Sequence, residues 1–258
     1  MFHLKRLDKN REYIYHFLNR MKKYNCPVNI NCEFDVTDTL AAIEQEKANG
    51  RPIGLMAYLT KATGLAIEKH PEFNERIYHT LLGKRVVSYD QITCGMLVER
   101  QTPEGKYILL PLNIYDAPNQ SIEAIHEKIK GYKTKPLEEL KAFRQLSKLH
   151  TMPRWLIPLV HFMMRTSPRY TGKTGNTYAI SSVLQENGAA TSGSAPAYKT
   201  TFFPFNIIDL PRAYKGEIVI RKMLRMMISV DHYLIDGMDI LRASGTLKTY
   251  LEDPTTLL

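Results

Sequence analysis

The stretch Leu224 to Leu258, LRMMISVDHYLIDGMDILRASGTLKTYLEDPTTLL, decides how the rest of the chain is read. An apolar run ends at Asp231-His232. Asp236 follows four residues after the histidine, then Gly237, and Met238 to Tyr250 carries helical spacing that stops before Pro254. The pattern predicts a strand that delivers His232 to the edge of a sheet, where an imidazole can meet a ligand. Asp236 is within reach to turn back on the local backbone or the ring, and Gly237 is expected to allow a tight turn that a side chain would block. The pattern HxxxDG is short, and a structural histidine at a strand end fits the same residues.

Outward from this segment, strands and helices are mixed without strict alternation. Helices are predicted over Arg11–Lys22, Thr39–Asn49, Ile53–Lys69, Ser121–Lys130 and Pro136–Leu149. Strands are predicted over Asn29–Val36, Val86–Ile92, Met96–Arg100, Lys106–Leu112, Thr177–Val183, Lys199–Ile208, Glu217–Ile220 and Leu224–Val230. Thr102-Pro103-Glu104-Gly105 is a good hairpin turn. The expected fold class is α/β (an α+β sandwich), with a mixed central sheet and flanking helices. No linker divides the chain, so residues 1–258 read as a single domain. Asn187 to Pro196, NGAATSGSAP, is a loop.

Charge is unevenly spread. The chain has 258 residues and a formal net charge of +9. Lys128 to Lys173 holds eleven Lys/Arg against Glu138 and Glu139, so the whole excess sits there and the remainder balances. A chain-wide nucleic-acid coat fits this distribution poorly, and a local basic patch fits it better. Cys26, Cys32 and Cys94 make neither a disulfide framework nor a zinc site. The start, MFHLKRLDKN, has no secretory pattern. The longest uncharged apolar run, Trp155–Met164, is too short to cross about 30 Å of hydrocarbon and reads as a buried helix. A soluble, cytoplasmic protein without membrane contact is expected.

False motifs narrow the chemistry further. Ser167-Pro-Arg-Tyr-Thr-Gly172-Lys173-Thr174 imitates a phosphate loop. Ser167 stands where the first glycine would let backbone N–H groups approach phosphate, and no hydrophobic strand precedes it. GxGxxG, HExxH and GxSxG are absent, and Asn119-Gln120-Ser121 is a sequon only formally.

The chain resembles the catalytic domain of the dihydrolipoamide acyltransferases, the core subunits of 2-oxoacid dehydrogenase complexes, whose fold chloramphenicol acetyltransferase shares. The resemblance rests on Asp231-His232 with Asp236-Gly237 and the closing LEDP and LL. It also rests on Lys69 to Asn74 (KHPEFN), the TPEG hairpin within Met96–Leu112, Ser121–Pro136, and Thr177 to Ser182 (TYAISS). These stretches run in the family's order over about 200 residues.

The resemblance implies a chloramphenicol acetyltransferase-like fold and a coenzyme A-dependent acyltransferase that moves an acyl group, acetyl favoured, to a thiol or hydroxyl acceptor. Coenzyme A is a substrate, and no metal is called for. It implies that His232 is the general base and that Ser181 donates to the oxyanion, with Ser182 as the register alternative. It further implies that Asp236 holds the histidine loop against an arginine, for which Arg11 is the best-placed match; an exposed helix arginine fits Arg11 equally. Gly237 completes the supporting set. The active site would lie between subunits of a homotrimer, with His232 of one chain facing Ser181 of the next and some of Lys128–Lys173 guiding the phosphates of coenzyme A. The acceptor is a small molecule or a lipoyl-type thiol; neither nucleic acid nor membrane is an expected partner.

Departures qualify this. Tyr233 stands where the family has arginine, Ser182–Gln185 lacks its glycine, and the 258 residues leave no room for a lipoyl or peripheral-subunit-binding domain. Two other readings follow: a non-catalytic trimeric scaffold, and a binder of nucleic acid or acidic partners through residues 128–173.

Overall fold

The computed structural model describes residues 9–80, 82–151, 153, 155–168, 175–186, 188–189, 192–194 and 199–258. Its elements are α1 (Lys9–Tyr24), β1 (Pro27–Asp35), α2 (Thr37–Ala48), α3 (Leu55–Lys69), β2 (Glu75–Thr80), β3 (Gly83–Ser88), β4 (Cys94–Gln101) and β5 (Tyr107–Ile114). They continue with α4 (Ile122–Thr134), α5 (Lys141–Thr151), α6 (Leu156–Thr166), β6 (Tyr178–Ile180), β7 (Gln185–Glu186), β8 (Thr201–Tyr214), β9 (Glu217–Asp231) and α7 (Gly237–Glu252).

The main sheet has the order β1-β9-β8-β6-β4-β5, with β7 beside β8. Its centre is parallel, β4 with β6 and β6 with β8, and its flanks are antiparallel, β1 with β9 and β4 with β5. The sheet is therefore mixed, as the irregular alternation of elements requires. Helices α3, α4 and α7 cover it and close the core around Tyr58, Leu59, Ile67, Ile114, Ile125, Tyr178, Leu224, Ile228 and Leu247.

Strand β9 lies between β1 and β8, and its residues 226–231 are buried without alternation, because both of its faces are covered. Its outer half runs with β8 as a long ribbon, closed by a turn in which Lys215 and Gly216 both have positive φ, 51° and 87°. Arg221 and Lys222 interrupt the apolar pattern, so the sequence reads two strands where there is one. Arg221 bonds Asp35 Oδ2 at 2.6 Å and Asp38 Oδ2 at 2.8 Å, and Lys222 reaches Asp209 at 3.2 Å. Paired at the rim, these charges do not break the ladder.

Two further expectations change. Strand β2 (ERIYHT) carries no pattern that marks it, and it forms by pairing with β3, which lies earlier than the predicted Val86–Ile92. The apolar run after Trp155 is α6, but it is buried on one side only. Ile157 is 3% exposed, whereas Trp155 is 74%, Leu159 48% and Phe162 42% exposed in the single chain. A helix that is apolar all round cannot cover both sides against one neighbouring layer. The phosphate-loop imitation and the loop from Asn187 extend into residues outside those described.

Candidate active site

The site is built where β9 ends. Asp231 is buried, and its carboxylate collects three donors: Oδ2 accepts from Asn25 Nδ2 at 2.6 Å, and Oδ1 from the Cys26 N–H at 3.0 Å and the Tyr233 N–H at 3.3 Å. Its carbonyl accepts from the N–H groups of Leu234 and Ile235, which winds residues 232–235 into a turn. The His232 N–H donates to Cys26 O at 2.7 Å, tying the turn to the start of β1.

Within this turn His232 Nδ1 lies 2.9 Å from the carbonyl oxygen of Ile235. A carbonyl oxygen only accepts, so the bond requires the proton on Nδ1. In the neutral ring the lone pair is then on Nε2. The side chain is 45% exposed, so that lone pair is available to a ligand. Asp236 Oδ1 stands 3.6 Å from Nδ1, but its side chain is 83% exposed, and solvent screens most of the attraction. Asp236 acts more as the N-cap of α7; its N–H donates to the Asp239 carboxylate at 3.1 Å.

Gly237 departs from expectation. It is the first residue of α7, its φ is not in the left-handed region, and an added Cβ would meet nothing within 4 Å. The turn closes through the Asp231 carbonyl and does not need the glycine.

Aromatic and basic groups surround the turn. Tyr24 packs on His79 with centroids 4.8 Å apart, and Lys84 lies 6.0 Å from the Tyr233 ring. The β2–β3 hairpin thus borders the site. Arg11 is exposed on α1, which lies against α6. Lys128 bonds Gln120 Oε1 and Lys130 pairs with Glu127, both on α4. That helix covers β4 and β5, which are three and four strands from β9. Within one chain this part of the basic patch is remote from His232.

Ser181 immediately follows β6 and is half-buried; its N–H donates to Phe202 O at 2.9 Å. Ser182 is exposed, and its Oγ accepts from the Leu184 N–H in a local turn. Ile180 pairs with Phe202 and Phe202 with Ile228, so Ser181 lies level with Met227. It is therefore about 16 Å along the strands and about 10 Å across them from His232. One chain does not bring the two together.

The Cys94 thiol is unsuited to chemistry. Burial pushes the Cys94 thiol up to about 12, which leaves it protonated and unreactive. Among the described residues no group of three or more His, Cys, Asp or Glu is placed to hold a metal ion, and no helix is long and apolar enough to cross a membrane.

The cubic core of the pyruvate dehydrogenase multienzyme complex superposes with a TM-score of 0.72 at 18% identity, covering 100% of this chain and 94% of that one. Dihydrolipoamide acetyltransferase from Azotobacter vinelandii gives 0.69 at 17% identity, covering 100% and 94%. The chain belongs to the family described as 2-oxoacid dehydrogenases acyltransferase (catalytic domain), whose sequence model matches residues 3–148 and 205–258.

Among curated relatives, the dihydrolipoyllysine-residue succinyltransferase component of the Escherichia coli K12 2-oxoglutarate dehydrogenase complex is 27% identical over 213 residues, 83% of this chain and 44% of that one. This chain therefore spans less than half the length of that relative. Residues 149–204, which include α6, β6 and Ser181, lie outside the family match.

Asn25 and Asp231 carry much of the geometry, although the HxxxDG pattern contains neither of them. Asn25 meets its partner across 206 residues, and no local signal announces that contact.

Proposed function

We propose that the chain is an acyltransferase that moves an acyl group between coenzyme A and a dihydrolipoyl-type thiol, with His232 as general base. The observation that carries this reading is the Ile235 carbonyl on His232 Nδ1, which leaves Nε2 as the basic nitrogen of a half-exposed ring. A thiol with a pKa of about 8.5 is mostly protonated at neutral pH, so a nearby base raises the reactive thiolate fraction.

Nε2 takes the proton of the coenzyme A thiol. The sulfur forms a bond to the carbonyl carbon of the acyl-lipoyl thioester, and the carbonyl electron pair moves to oxygen. Ser181 Oγ–H of a neighbouring chain donates to that oxyanion. Collapse breaks the lipoyl carbon–sulfur bond, and the departing thiolate recovers the proton from the imidazolium. The protein itself is never acylated. Asp236 and Arg11 have supporting roles in shaping the histidine loop.

The separation of Ser181 from His232 within one chain supports a homotrimer whose sites form between subunits. In the Azotobacter relative a serine, a histidine and an asparagine are named for roles in the catalytic mechanism, which fits a serine–histidine site here. The succinyltransferase relatives make succinyl-CoA as good a trial substrate as acetyl-CoA. The reading includes a cytoplasmic setting, supported by the three free cysteines.

The test is release of coenzyme A thiol from acetyl-CoA or succinyl-CoA with dihydrolipoamide. Turnover is expected, and His232→Ala should lower it by over about 10²-fold without loss of fold. A variant with full activity, or a wild-type protein that neither transfers nor binds coenzyme A, overturns the reading. The second outcome with intact trimers supports a non-catalytic scaffold, a reading favoured by the position of Ser181 outside the family match.

A further inference from the structure

We infer that Asp231, held by Asn25, is the positioning residue of the site: it fixes the tautomer and direction of the His232 ring without touching substrate. The inference rests on the proposed role of His232.

The two carboxylate oxygens divide their work. Oδ1 takes two backbone donors, the N–H of Cys26 at 3.0 Å and of Tyr233 at 3.3 Å. Oδ2 takes the side-chain amide of Asn25 at 2.6 Å. Asp231 is 5% exposed, so these bonds replace water that the carboxylate has lost, and each counts for more than at the surface. The same residue's carbonyl accepts from Leu234 and Ile235 at 3.0 and 3.2 Å. Those bonds set the turn, and the turn aims the Ile235 carbonyl at His232 Nδ1.

Orientation therefore passes from Asn25 to Asp231, to the turn, to the Ile235 carbonyl and to the ring. Loosening the first link lets the ring lose its Nδ1–H partner and populate the tautomer with the proton on Nε2, which is no base.

The division of oxygens provides a decisive swap. Asp231→Asn keeps Oδ1 for both backbone donors but turns an amide donor toward the Asn25 amide. Adding Asn25→Asp restores that bond with donor and acceptor exchanged. Both single changes, Asn25→Ala and Asp231→Asn, are expected to lower kcat about tenfold or more, because small misplacements of a catalytic group are costly. KM for coenzyme A should stay within about twofold, since neither residue binds it. The pair Asn25→Asp with Asp231→Asn should recover most of the lost kcat.

Unchanged kcat in the single variants, or a folded double variant with no recovery, overturns the inference. ¹⁵N NMR of histidine-labelled protein, with His232 assigned by difference against His232→Gln, reads the clamp without any turnover. The wild type should show a protonated Nδ1 and a bare Nε2 above the ring's titration, and Asn25→Ala should show a mixture. A mixture already in the wild type overturns the clamp. A clean tautomer with no acyl transfer overturns the proposed function and leaves the clamp standing.

Discussion

At the residue scale, two glycines that look alike in sequence differ in what they do. Gly95 lies under the Asn176 amide, where an added Cβ would fall 2.0 Å from Nδ2, and that amide bonds Asn113 Oδ1 at 2.9 Å. Gly95→Ala is expected to cost about 1–3 kcal/mol by overpacking and by loss of the amide pair. Gly237→Ala meets open space in the first turn of α7 and should leave stability unchanged or raise it by up to about 1 kcal/mol. Paired thermal denaturation of the two variants checks this, and a large loss at Gly237 with none at Gly95 would reverse the assignment. In sequence, a glycine next to Asp236 suggests a tight turn and with it steric demand at Gly237. Only the backbone angles and the surrounding space tell otherwise.

At the element scale, the edge where β1, β9 and α2 meet is governed by charge. Burial alone would raise the Asp35 carboxyl, but hydrogen bonds from Arg221 and Thr37 outweigh it and hold that carboxyl below its ordinary value. The folded state then binds this proton less readily than the unfolded chain. The resulting stability is present above the ordinary carboxylate range and is lost as pH falls through the lowered value. Stability of the wild type should therefore decline below about pH 4, and Arg221→Gln should flatten that decline while lowering stability at neutral pH. Denaturant titrations from pH 7 to pH 2.5 measure both slopes; equal slopes would remove Arg221 from the account.

The same arginine explains why β9 reads as two strands. An apolar pattern identifies burial, and a paired charge at a strand's rim imitates a break. Helices were more legible: Ser121 caps α4 through its Oγ on the Ala124 N–H at 3.2 Å, and Pro71 ends α3 near His70, because capping and proline chemistry act over a few residues.

At the scale of the whole molecule, the distance between His232 and Ser181 turns the question of activity into one of assembly. If each site takes its base from one chain and its oxyanion donor from the next, His232→Ala and Ser181→Ala chains complement one another. Each alone should be nearly inactive. Mixed trimers carrying both kinds of chain should regain about a third of wild-type activity, because one of the three contacts in each brings both intact residues together. Co-expression with two affinity tags, followed by the thiol-release assay, measures it. Mixtures no more active than their parents would require a site complete within one chain, or a donor other than Ser181.

The amino-acid sequence by itself determined the mixed sheet, most of the helices and the position of His232 at a strand's exit. Each of these rests on periodicity, capping or a local motif, and such forces act between near neighbours in the chain. Tertiary structure alone decided which nitrogen of His232 is basic, that Asn25 holds Asp231, that Gly237 carries no steric duty and that Ser181 is too far away to serve the same chain's histidine. Those facts depend on hydrogen bonds and strand registers between residues up to 206 positions apart, and they exist only once the sheet has brought its ends together.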